Sequence, residues 1–126
     1  MSEKYYTQME AARKGIITEE MRAVARKEYR TEEEIRDLVA KGQVAICANK
    51  RHKCLDPNGV GSMLRTKINV NLGVSKDCKD YEVEMEKVMA AVNMGAEAIM
   101  DLSSHGNTQP FRRKLTQECP AMIGTV

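Results

Sequence analysis

The feature that most narrows what this chain can fold into is an alternation in its second half. KINVNLGV at 67–74 is short, apolar and strand-like, and DYEVEMEKVMAAVNMG at 80–95 has helical periodicity. AEAIMDLS at 96–103 returns to a strand pattern, TQPFRRKLTQE at 108–118 to a helix, and PAMIGTV at 120–126 to a strand. Parallel strands need long crossovers, and helices supply them, so strand, helix, strand, helix, strand is the grammar of parallel β/α units. In the first of these helices Tyr81, Met85, Val88, Met89 and Val92 recur at three- and four-residue steps and predict one apolar stripe, closed by Gly95 as the C′ residue. Three parallel strands with two helices leave two unpaired edges and a sheet face with little to cover it. The pattern predicts an incomplete α/β domain.

The first half reads differently. TQMEAARK at 7–14 is helical up to Gly15, and Thr18 offers an N-cap for a second helix over 19–29. Thr31 and Glu34 make a T-x-x-E capping box, in which hydroxyl and carboxylate each satisfy a free N–H at the start of a third helix that runs to Lys41 and stops at Gly42. Ile35, Leu38 and Val39 give that helix an apolar face, and QVAICAN after it is short and β-prone. Residues 49–63 hold Lys50, Arg51, His52, Lys53, Pro57, Gly59 and Gly61, a mixture that predicts a loop rather than a regular element. The expected division is a mainly helical section with one strand and a linker over 1–63, followed by a βαβαβ portion over 64–126.

Composition bounds the partners. Lys+Arg 20 against Asp+Glu 18 leaves a formal charge of +2, which gives no broad electrostatic reason to expect nucleic acid or anionic lipid. No apolar run reaches the length of a membrane span, and MSEKYYTQMEAARKG lacks the apolar stretch of a secretory signal, so neither membrane nor nucleic acid is an expected partner and the expected compartment is the cytoplasm. Cys47, Cys54, Cys78 and Cys119 stand 7, 24 and 41 residues apart, matching neither metal-site spacing nor a disulfide framework, and read as reduced thiols. With nine methionines and one phenylalanine, the core is expected to be aliphatic and sulfur-rich.

Working groups in β/α proteins of this kind sit at the C-terminal ends of strands and in the loops that follow. That rule selects Asn69, Asn71 and Gly73 after the first strand, Met100, Asp101, Ser103, Ser104, His105 and Gly106 after the second, and Thr125 after the third. Strand alternation sends Asn69 and Asn71 to one side, where two amides must find partners in backbone, water or ligand. A satisfied interior hydrogen bond explains them as well as a ligand does. Asp101, Ser103 and His105 are no catalytic triad, since triad members converge from different segments. Two distant histidines suggest no zinc site, the 50–53 charge run reads as solvated surface, and no phosphate-binding glycine loop or C-x-x-C occurs.

TQMEAARKGIITEEM, VAICANKRH, RTKINVNLG, GAEAIMDLSSHGNT and PAMIGTV resemble, in this order and across essentially the whole chain, the first part of the phosphomethylpyrimidine synthase family. The resemblance implies that residues 64–126 are the first part of a (β/α)8 barrel that is incomplete in this chain. It implies a parent enzyme of the radical S-adenosylmethionine kind, a carbon–carbon lyase with an iron–sulfur cluster, S-adenosylmethionine and zinc, which rearranges aminoimidazole ribonucleotide to hydroxymethylpyrimidine phosphate for thiamine. The family's substrate-binding asparagine falls on Asn71 of KINVNLG and its substrate-binding methionine on Met100 of IMDLS. The family's cluster cysteines and zinc histidines have no counterparts here, so this chain alone is expected to bind none of the cofactors and to be inactive. RTKINVNLGVSKDC and FRRKLTQECPAMIGTV look closer to the related hydroxybenzimidazole synthases, which take the same ribonucleotide toward the lower-ligand base of cobalamin. A third expectation is a non-catalytic assembly module whose open edges pair with a second polypeptide carrying the rest of the barrel, or with other copies in an oligomer.

Overall fold

The computed structural model describes residues 4–126. Among them are five helices and two small sheets, distributed over two compact units: residues up to Cys47 with Pro57–Thr66, and Ala48–Asp56 with Lys67–Val126. The chain is therefore of mixed α/β class.

The first unit is built by three capped helices, α1 (Gln8–Arg13), α2 (Glu19–Glu28) and α3 (Glu32–Ala40). Thr7, Thr18 and Thr31 are the N-caps, each in extended conformation with its hydroxyl accepting a backbone N–H of the first turn. At Thr31 the reciprocal bond is also made, because the Thr31 N–H donates to Glu34 Oε2 at 2.9 Å, completing the capping box. The helices bury Ala11, Met21, Val24, Ile35 and Val39 together with Val44 and Ile46 of β1 (Val44–Ile46). Fully burying an aliphatic side chain of this size contributes roughly 1.5–3 kcal/mol.

The loop expected over 49–63 is not wholly a loop. Gly59–Gly61 forms β2, antiparallel to β1 with Ile46 opposite Gly59 and Val44 opposite Gly61. Its glycines hid it from pattern reading, and both are required by packing. A Cβ on Gly61 would stand 2.1 Å from the Gln43 carbonyl oxygen, and one on Gly59 would meet Leu64 and Val24.

The second unit holds β3 (Asn69–Leu72), α4 (Tyr81–Asn93), β4 (Ala98–Asp101), α5 (Gln109–Glu118) and β5 (Met122–Thr125). The strands form one parallel sheet in the order β3-β4-β5, so each successive strand adds to the same side. Asp80 caps α4 by accepting from the N–H groups of Glu82 and Val83, and Pro110 stands in the first turn of α5, where its missing N–H costs nothing. Val70, Leu72, Ile99 and Ile123 of the sheet pack with Met85 and Val88 of α4, with Phe111 and Leu115 of α5, and with Cys119 just past its end. The Tyr81 and Phe111 rings meet in a tilted arrangement 5.2 Å apart. The expected stripe on α4 needs one correction: Met89 is exposed, and the α4 position that joins Met85 and Val88 in full burial is Glu84.

The 48–56 segment runs along the C-terminal end of α5. Lys53 N–H donates to the Thr116 carbonyl and Asp56 N–H to the Pro120 carbonyl, both at 2.9 Å, while His52 Nε2 donates to the Cys119 carbonyl at 2.6 Å. The four thiols are free. Burial pushes the Cys119 thiol above its ordinary pKa, the Ala121 backbone opposes this, and the neighbouring Cys54 adds to it. No helix among the described residues is long and apolar enough to cross a membrane.

Candidate functional site

One face of the parallel sheet is covered by α4 and α5, and strand periodicity of two assigns the alternate residues to the other face. The register aligns three of those residues in a single row: Asn71 of β3 opposite Met100 of β4, and Met100 opposite Gly124 of β5. Asn69 and Asn71 are both exposed, and Asn69 Nδ2 donates to Asn71 Oδ1 at 2.8 Å. That bond uses one acceptor of Asn71 and leaves its amide donors and its second lone pair for another partner. Met100 is half-buried and lies over Gly124, since a Cβ built there would come within 2.8 Å of its Cε and 2.9 Å of its Sδ. The two residues selected from sequence thus stand side by side near the C-terminal ends of adjacent strands.

Those strand ends are tied to each other and to both helices by buried polar groups. Leu102 N–H donates to the Leu72 carbonyl at 2.7 Å, and Ser104 N–H to the Val74 carbonyl at 3.1 Å. Val74 N–H donates to Ser103 Oγ at 3.1 Å, and Gly73 N–H to Glu84 Oε2 at 2.9 Å. Glu84, wholly buried, receives Lys87 Nζ on its other oxygen at 2.6 Å. Gly73 is a glycine of necessity: its φ is +144°, and a Cβ would lie 2.5 Å from the Ser103 nitrogen.

Asp101 is the anchor of the second strand end. Fully buried, it accepts from Ser103 N–H at 3.0 Å and from Arg112 Nε at 2.8 Å. Burial is the largest single influence on its carboxyl and acts to raise the pKa. The Ser103 hydroxyl, Arg112 and the Ser103 N–H together outweigh it and hold the group below the ordinary carboxylate range. Asp101 and Ser103 are therefore occupied in fixing the loop after β4. His105 is exposed and contributes its carbonyl oxygen to the Tyr81 hydroxyl at 3.2 Å.

Glu84 and Arg112 escaped the reading from sequence. Glu84 had a usable signal, because it stands three residues after Tyr81 and four before Val88, on the apolar stripe itself. Arg112 had none; only the fold brings it to Asp101.

Cys47 and Cys78 are exposed, Cys54 is half-buried and Cys119 buried, and among the described residues no group of three or more His, Cys, Asp or Glu side chains could hold a metal ion. These residues do not form a cradle for an iron–sulfur cluster.

A parallel sheet with helices on one face and the Asn71–Met100–Gly124 row near its strand ends on the other marks a protein of the β/α class. Residues 7–126 match the model of the Radical SAM ThiC family, and the chain belongs to that family. It is 62% identical over 122 residues to the phosphomethylpyrimidine synthase of Clostridioides difficile, covering 97% of this chain and 28% of that protein. It is 61% identical over 123 residues to the protein of that name from Alkaliphilus oremlandii, covering 98% and 28% respectively. The Clostridium botulinum Hall strain protein of the same name is 59% identical over 122 residues. The chain spans under a third of the length of these relatives, 28% in each case.

Proposed function

We propose that these residues are the opening part of a longer radical S-adenosylmethionine enzyme that rearranges aminoimidazole ribonucleotide to hydroxymethylpyrimidine phosphate, and that they supply one wall of its ribonucleotide pocket. In this reading residues 64–126 are the first βαβαβ portion of a barrel, and the sheet face opposite α4 and α5 is its interior. Asn71 hydrogen-bonds the ligand through its amide, and Met100 lines the pocket beside it. Support comes from one observation above the rest: parallel register pairs Asn71 with Met100 on the face opposite α4 and α5, at the positions where the resemblance assigns substrate contacts. The sheet order β3-β4-β5 supports it too, since a barrel adds consecutive strands side by side.

The iron–sulfur cluster, S-adenosylmethionine and zinc belong in this reading to the rest of the polypeptide, and together they supply radical chemistry. This chain contributes binding and orientation. By itself it has no activity, and the predicted home of the enzyme is the cytoplasm.

A second reading keeps the substrate and changes the product to 5-hydroxybenzimidazole. RTKINVNLGVSKDC and FRRKLTQECPAMIGTV favour it, and the names of the relatives favour the phosphomethylpyrimidine product. Sequencing the reading frame past Val126 is the first test, with a later C-x-x-C-x-x-x-x-C expected. Product analysis of the complete enzyme, assayed without oxygen with S-adenosylmethionine and a reductant, then separates pyrimidine from benzimidazole. In that enzyme Asn71→Ala is expected to weaken ribonucleotide binding about tenfold, the equivalent of one good hydrogen bond. Unchanged affinity and turnover would remove Asn71 from the pocket.

A further inference from the structure

We infer that Gly124 is a positioning residue of the same pocket, present so that the Met100 side chain can lie flat across β5. This inference rests on the reading of Asn71 and Met100 as pocket residues and adds to it a residue that acts only through Met100.

The two glycines of this unit at which a Cβ would clash differ in what it would strike. Gly73 has a φ of +144°, and its missing side chain makes room for backbone atoms of Leu102 and Ser103. Gly124 has no such backbone demand: it lies within β5, is not among the residues with positive φ, and any L-residue fits its conformation. Among the described residues, a Cβ at Gly124 would touch Met100 and nothing else within 4 Å, at 2.8 Å from Cε and 2.9 Å from Sδ. Real Cβ atoms do not approach carbon or sulfur so closely, and the group that must give way is the end of a flexible, unbranched side chain. The glycine thus leaves room for one thing, the Met100 thioether leaning away from Asn71 toward β5.

The consequence follows from the register. Asn71, Met100 and Gly124 share one row, and neighbouring strands stand about 4.8 Å apart, so a methionine displaced from Gly124 has to stand up from the sheet or swing toward Asn71. Either movement narrows the space above the row. With Gly124 present, Met100 is a low floor beside an amide, suited to a flat heteroaromatic ring that stacks on the sulfur and presents its edge to Asn71.

The test is a double-mutant cycle in the complete enzyme, reading ribonucleotide affinity by calorimetry, KM and kcat separately, and the thermal midpoint. Gly124→Ala is expected to weaken binding roughly tenfold or more, the scale of misplacing a positioning group, with the loss in KM and little change in kcat or thermal midpoint. Met100→Ala is expected to weaken binding as well, and the double variant to bind no worse than Met100→Ala alone, because the group through which Gly124 acts is gone. Wild-type affinity in Gly124→Ala overturns the inference, as does a Gly124→Ala loss that persists unchanged in the Met100→Ala background. If Gly124→Ala does not fold, recovery of folding in the double variant supports the steric link, and failure of both to fold overturns it. If Met100→Ala and Asn71→Ala both bind the ribonucleotide as wild type does, the pocket reading itself fails, and this inference falls with it.

Discussion

Asp101 illustrates how a single buried charge can be structural in the middle of a string that looks catalytic. Its carboxylate is removed from water, yet it carries a charged partner and the Ser103 N–H, so the loop after β4 is fixed where Met100 precedes it. Removing one member of such a set leaves the other unsatisfied, and Arg112 is partly exposed, which lowers the cost by letting water in. Asp101→Asn is expected to destabilise the protein by about 2 kcal/mol at neutral pH, measured by urea denaturation. The pH dependence has a definite sign. A carboxyl held below its unfolded pKa contributes stability that is complete above about pH 4 and fades as pH falls toward its folded value. The difference between wild type and Asp101→Asn should therefore be constant from neutral pH down to about pH 5 and shrink below pH 4. A gap that instead grew with acid would show that Asp101 is not held ionised by its neighbours.

At the scale of elements, Gly73 and Glu84 lock the end of β3 to the end of β4 and to α4. Gly73→Ala combines a strained φ with a Cβ against backbone that cannot retreat, and a cost of about 3 kcal/mol is expected in the same denaturation measurement. A change below about 0.5 kcal/mol, the range of ordinary surface substitutions, would mean the two strand ends are not held as described. These elements were legible in sequence to different degrees, for physical reasons. Thr31 with Glu34, Thr18 and Gly42 announced their helix ends because capping is local chemistry, complete within four residues. The three parallel strands were legible from apolar runs, and alternation alone put Asn69 and Asn71 on a common face. β2 was not legible, because its two glycines are demanded by neighbours distant in sequence. Periodicity likewise misplaced Met89. It counts apolar residues, and α4 instead turns a carboxylate inward to meet the Gly73 N–H, a need that arises only once β3 is in place.

At the scale of the molecule, among the described residues β3 pairs only with β4 and so forms one edge of the second unit's sheet, with apolar surface beside it. Ile68 is 59% exposed and Met94 90% exposed, and with Val70, Ala90, Ala91 and Gly95 they line a groove of about 450 Å³ between β3 and α4. An open parallel edge next to exposed apolar side chains is a surface that seeks a strand and a helix, which the longer enzyme proposed above would supply. The 126 residues by themselves are expected to associate through this edge as concentration rises, and Ile68→Asp with Met94→Asp to shift them toward monomer by placing charge on it. Sedimentation across a concentration series reads this directly. Adding the remainder of the longer enzyme proposed above as a separate polypeptide should compete with self-association, because both would use the same edge. Wild-type residues that stay monomeric across the series and ignore the complementary polypeptide would mean that the β3 edge is satisfied as it stands, and the sheet would then have to be read as a finished unit instead of the opening arc of a ring.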